Sequence, residues 1–141
     1  MKRVFSLFVL AILFSVQAFA SDLDVERLQN KLAPDFGVSS DIKYASISGA
    51  TSGDNTVVAA VSGKRIRVLS VALITTTATT VAFESGASGT ALTGDMPLAA
   101  NGGFVLPFNA AGWFQTASGS LLNMELGGAI QTSGMLTYIE V

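Results

Sequence analysis

A chain of 141 residues has the length of one domain, and with 50 % hydrophobic against 13 % charged residues it must bury a core, which excludes disorder of the high-charge kind. Histidine and cysteine are both absent, which removes disulfides, thiolate and imidazole metal sites, Cys or His nucleophiles and every Ser-His-Asp arrangement. A net charge of −2 offers no basic footprint to a phosphate backbone, so nucleic acid is not an expected partner.

Residues 1–20 have the layout of a signal peptide. Lys2 and Arg3 precede an apolar run from Val4 to Phe14, broken only by Ser6, and Ala18-Phe19-Ala20 supplies the small residues that a signal peptidase accepts. Cleavage is expected before Ser21. A bilayer span needs ~20 apolar residues and this run is much shorter, so membrane association is expected only if residues 1–20 are retained.

Residues 21–43 predict a short helix and a linker. Ser21 can cap the helix, Asp22, Asp24 and Glu26 fall in its first turn, Lys31 lies near its end, and Pro34 and Gly37 stop it. Val25, Leu28 and Leu32 share one stripe, which serves either packing on the chain's own domain or contact with a neighbouring subunit. The early acids do not make a calcium loop, because the sixth position lacks glycine and the twelfth lacks an acid.

From Tyr44 to Val141 short hydrophobic stretches alternate with Gly, Ser, Asn and Asp clusters, the pattern of an all-β sandwich or barrel. Strands are predicted over Tyr44–Ser48, Thr56–Val61, Arg65–Ile74, Thr79–Glu84, Met96–Ala99, Phe104–Phe108, Trp113–Thr116, Leu121–Leu126 and Met135–Val141. Turns are predicted at Gly53-Asp54-Asn55, Ser62-Gly63, Ser85 to Gly89, Thr93-Gly94-Asp95, Asn101-Gly102-Gly103, Ser118-Gly119-Ser120, Gly127-Gly128 and Ser133-Gly134. Alternation places Leu122, Met124 and Leu126 on a core face with Asn123 and Glu125 opposite. In the strand from Arg65, strict alternation sets Ile66, Val68, Ser70, Ala72 and Ile74 on one face and Arg65, Arg67, Leu69, Val71 and Leu73 on the other.

Chemistry-bearing residues are few. Asp54 with Asp95, or Glu84 with Glu125, has the residue types of a glycosidase pair, but each acid lies beside a turn or on a polar strand face, where solvated acids are ordinary. The glycine-rich stretches lack the lysine and following helix of a phosphate loop. No catalytic, cofactor-binding or metal-binding residue is assigned. Lys64, Arg65 and Arg67 form the one concentrated basic patch; Arg65 and Arg67 suit a carboxylate on an adjoining subunit or simply the wet end of a strand. Trp113 and Phe114 suit either a carbohydrate platform or the core.

The body carries only eight charged residues, Asp54, Lys64, Arg65, Arg67, Glu84, Asp95, Glu125 and Glu140, against the ~25 % typical of globular domains. Much of its surface is therefore expected to be subunit interface, and a homo-oligomer is expected. Val61 to Ser70, Leu98 to Gly103, Phe114 to Gly119 and Gly134 to Val141 together resemble, in order and spacing, a small β-sandwich domain of bacteriophage head-decoration and fibre virion proteins. The resemblance implies a jelly-roll-like sandwich over residues 44–141, a structural and non-enzymatic role, a trimer, and a capsid partner at the virion surface. The signal pattern points instead to an exported bacterial filament, matrix or adhesin subunit with a cell-surface partner.

Overall fold

Alternating apolar side chains build ten strands and, among the described residues, no helix: β1 (Lys43–Gly49), β2 (Gly53–Val58), β3 (Ile66–Thr75), β4 (Thr79–Ser85), β5 (Thr90–Ala91), β6 (Met96–Leu98), β7 (Gly103–Leu106), β8 (Phe114–Gln115), β9 (Leu122–Leu126) and β10 (Thr132–Glu140). This computed structural model describes residues 42–141. The signal segment, the helix expected from Ser21 and its Val25, Leu28 and Leu32 stripe lie outside the described residues.

The strands form two antiparallel sheets. The first runs β1-β10-β3-β7, with β8 beside β7 on the same edge of β3. The second runs β2-β9-β4-β5, with β6 sharing the edge of β4. After β1 and after β3 the chain passes to the opposite sheet before returning, and β1 pairs with β10 and β2 with β9. Inward side chains of both sheets meet in one core, in which Ile47, Ile66, Val68, Val71, Leu73 and Leu136 of the first sheet face Val58, Val81, Phe83, Leu122, Met124 and Leu126 of the second. That arrangement is a β-sandwich. Phe114 of β8 stacks on the fully buried Phe83 of β4 at 5.1 Å between ring centroids, joining the two sheets. Of the two aromatic neighbours, Phe114 is thus core, whereas Trp113 stays 44 % exposed and donates its indole N–H to the Pro107 carbonyl at 2.8 Å.

The strict alternation expected along β3 fails at one residue. The ladder with β10 pairs Thr137 with Ser70 and Tyr138 with Val68, so Leu69 has no opposite number. This bulge reverses the phase of the strand. Ile66 and Val68 face the core before it; Val71, Leu73 and Thr75 face the core after it, and Ile74 is turned out with 53 % of its surface exposed. The second correction concerns turns. Asp54 and Asn55 are strand residues, because the loop closes one step earlier: Asn55 Nδ2 donates to the carbonyls of Thr51 and Gly53 at 2.8 and 2.9 Å, pinning that loop from inside β2. Ser133-Gly134 likewise lies within β10, where the glycine is needed because a Cβ at Gly134 would strike the Ala72 carbonyl oxygen of β3. The short strand β5 has no counterpart among the predicted elements.

The bulge yields a direct test. In dilute solution Leu73→Ala is expected to cost about 2–5 kcal/mol of unfolding free energy, and Ile74→Ala no more than about 0.5 kcal/mol, in urea denaturation of the full chain. Unbroken alternation predicts the reverse ranking.

Candidate functional site

The two outward faces of the sandwich differ in chemistry. On the second sheet, register brings Asp54 of β2 opposite Glu125 of β9 and Glu84 of β4 opposite Asn123 of β9. Three carboxylates thereby surround one amide. Sequence alternation placed Asn123 on a wet face, but it is fully buried. The reason is the turn between β4 and β5, which folds over it. Ser88, held at φ 49°, donates its backbone N–H and its hydroxyl to the two Asp54 carboxylate oxygens, each at 2.8 Å, and Gly89 N–H donates to Glu84 Oε2 at 3.3 Å. The Asn123 amide donates to Asp54 Oδ1 at 2.5 Å and to Glu84 Oε2 at 3.4 Å, while its own Oδ1 accepts nothing among the described residues.

These contacts set the electrostatics. Asp54 is held below its ordinary value of 3.8, chiefly by the Ser88 backbone N–H, then by the Ser88 hydroxyl and, more weakly, the Asn123 amide. Glu125 is raised above its ordinary 4.5 by a hydrogen bond shared with Glu84 and by the repulsion of that neighbour, with smaller contributions from desolvation, Asp54 and Asp95. The pairing of Glu84 with Glu125 is the one foreseen among the candidate acid pairs. Asp54 joins this group rather than pairing with Asp95 alone. Two neighbouring acids on adjacent strands have the residue types for proton transfer. Among the described residues no group of three acidic side chains is arranged to hold a metal ion.

The first sheet presents the opposite character. Its outward side chains include Tyr44 and Ser46 on β1, Ser133 and Met135 on β10, Ser70, Ala72 and Ile74 on β3, and Val105 on β7. None is charged. Tyr44 is 74 % exposed, Val105 70 % and Met135 58 %, which is unusual for large apolar side chains gathered on one surface. The basic patch lies off this area. Arg65 is exposed at the strand entrance, and Arg67, half-buried, donates its Nε–H to Gln115 Oε1 at 2.7 Å. The remaining contact candidates, Val25, Leu28 and Leu32, fall outside the described residues. The uncharged face escaped sequence reading because the bulge decides which β3 residues belong to it.

Two outcomes follow for the acidic face. The raised Glu125 binds its proton more tightly when folded, so it favours unfolding as pH rises from about 4.5 through its folded value; the lowered Asp54 stabilises the fold above 3.8, and that stability is lost as pH falls through its folded value. Thermal melts of Glu125→Gln are therefore expected to show a higher Tm than wild type at pH 7, and to lose the wild-type gain in Tm on acidification toward pH 4.5. Asn123→Asp puts an acid at a fully buried position within hydrogen-bonding distance of Asp54 and Glu84 and is expected to cost about 3–5 kcal/mol at neutral pH. No family model, curated protein or solved structure matches the chain, so the fold and the chemistry of its two faces carry the functional argument.

Proposed function

We propose that the protein is a structural module that assembles with copies of itself, a decoration or fibre component of a virion surface, and not an enzyme. The observation that carries this reading is the uncharged outer face of the first sheet, on which Tyr44, Val105, Met135 and Ile74 are each more than half exposed. Such a surface is costly in water and ordinary in an interface. The strand orders β1-β10-β3-β7 and β2-β9-β4-β5 support a jelly roll, the double Greek key common in shell-forming proteins, and so agree with the resemblance. A trimer is the assembly that the resemblance favours. The absence of His and Cys supports the non-enzymatic part of the reading.

A second reading, an exported filament, matrix or adhesin subunit, is favoured by the basic, apolar and small-residue sequence of Met1 to Ala20. Both readings need oligomers, with Arg65 and Arg67 as further contacts. Light scattering of the purified protein is expected to give a multiple of the chain mass; a monomer at every concentration removes both. Mass spectrometry of fractionated source cells separates them. The virion reading expects the chain at fixed copy number in purified particles, and the export reading expects a chain beginning at Ser21 on the cell surface or in the medium.

A further inference from the structure

The outer face of the first sheet carries both a projection and a recess. Tyr44 projects from β1 with 74 % of its surface free. Two strands away, Ala72 is the floor of a hollow of about 540 Å³ walled by Ile74, Val105, Ser133 and Met135. The recess exists because the ladder sets a small residue between bulky ones: Met135 of β10 and Val105 of β7 both pair with Ala72. Tyr44 pairs with Thr137, which pairs with Ser70, two residues before Ala72. Ladder geometry therefore separates Tyr44 from Ala72 by roughly 12 Å within one chain, too far for the ring to fill its own hollow.

A projection and a recess on one surface are self-complementary. A two-fold axis lying in the plane of contact, midway between Tyr44 and Ala72 and perpendicular to the line joining them, places each ring over the other copy's hollow. Charge favours the same partner. Three of the five acids of the body, Asp54, Glu84 and Glu125, sit on the second sheet, and no residue lining the hollow is charged, so two copies meeting over Tyr44 and Ala72 hold that acidic cluster apart and bury no ion at the hollow. A charged ligand finds no counter-ion here. The ring hydroxyl of Tyr44 reaches a hollow with one hydroxyl on its wall, that of Ser133, which gives the polar end of the ring a partner.

We infer that two copies of this chain pair face to face through the outer surface of the first sheet, the Tyr44 ring of each seated in the hollow over Ala72 of the other. The inference rests on the self-assembling function proposed above and names its contact. Four strands at about 4.8 Å and five residues at about 3.3 Å outline roughly 300 Å² of sheet. That is less than half of the ~800 Å² per partner of a standard interface, so the pair is reversible and concentration-dependent. A contact of this symmetry closes at two copies; if another surface forms trimers, this one joins two trimers back to back.

Because the chain has no cysteine, the contact can be trapped. In the full chain carrying both Tyr44→Cys and Ala72→Cys, oxidation is expected to give a covalent dimer on a non-reducing gel. Neither single variant should do so, since the intramolecular separation exceeds the ~7 Å limit for a disulfide and each thiol faces the other position. Light scattering provides the second measurement: Ala72→Glu, on the outward face and folded by circular dichroism, is expected to raise the dissociation constant at least about tenfold, while Thr56→Glu on the second sheet leaves it unchanged. An oligomer that persists in Ala72→Glu, with no cross-link in the double variant, overturns this inference and leaves the self-assembly reading standing. A wild-type monomer at every concentration overturns both. Ala72→Glu that releases a different, apolar protein while the wild-type chain remains single replaces the second copy with that partner and likewise overturns the inference.

Discussion

The offset at Leu69 governs which side of the first sheet meets the core, because β3 lies between β10 on one side and β7 and β8 on the other. Were the ladder unbroken, Ser70, Ala72 and Ile74 would follow Ile66 and Val68 inward, putting a hydroxyl and a small residue where Val71 and Leu73 now fill the interior. Val71 and Leu73 would then stand in water. One unpaired residue thus trades a poor core for a good one, and the same reversal creates the outer surface with its recess at Ala72. The core and the candidate contact face are two results of a single register choice.

The second sheet resolves a different problem. Three carboxylates on adjacent strands repel one another, and repulsion of this kind is ordinarily relieved by solvent. Here solvent is partly displaced by the turn carrying Ser88 and Gly89, whose N–H groups substitute for water at Asp54 and Glu84. The Asn123 amide supplies a donor beneath them. What remains unrelieved is the contact of Glu125 with Glu84, which holds the Glu125 carboxyl above its ordinary value. The outward faces consequently differ: one holds three of the five acids of the body, while the other carries no charge around Tyr44 and Ala72.

The all-β class, two antiparallel sheets and the core positions Leu122, Met124 and Leu126 were legible in the sequence, because period-two alternation and turn glycines are local signals. What escaped was non-local. A bulge is visible only in the partner strand, so Ile74 was assigned to the wrong side. Ser133-Gly134 has turn chemistry but lies in a strand, since its glycine answers a carbonyl across the ladder rather than a bend in its own chain. Asn123 has the polarity of a surface residue, and its cover comes from a turn about thirty-five positions earlier. Glu84 and Glu125 were recognised as a candidate pair by residue type alone; Asp54 joins them through register, which no spacing along the chain records.

The order of the first sheet also dictates a sequence of events during synthesis. β1 and β3 have no ladder with each other; both are joined through β10, which lies between them. Residues 132–140 must therefore leave the ribosome, or cross a membrane, before the earlier strands can acquire their principal partner. Until then the emerging polypeptide exposes unpaired edges from β1 and β3, a condition that delays non-local pairing and invites holdase chaperones. The first sheet is thus completed late, after β7 and β8 have already had the chance to pair with β3.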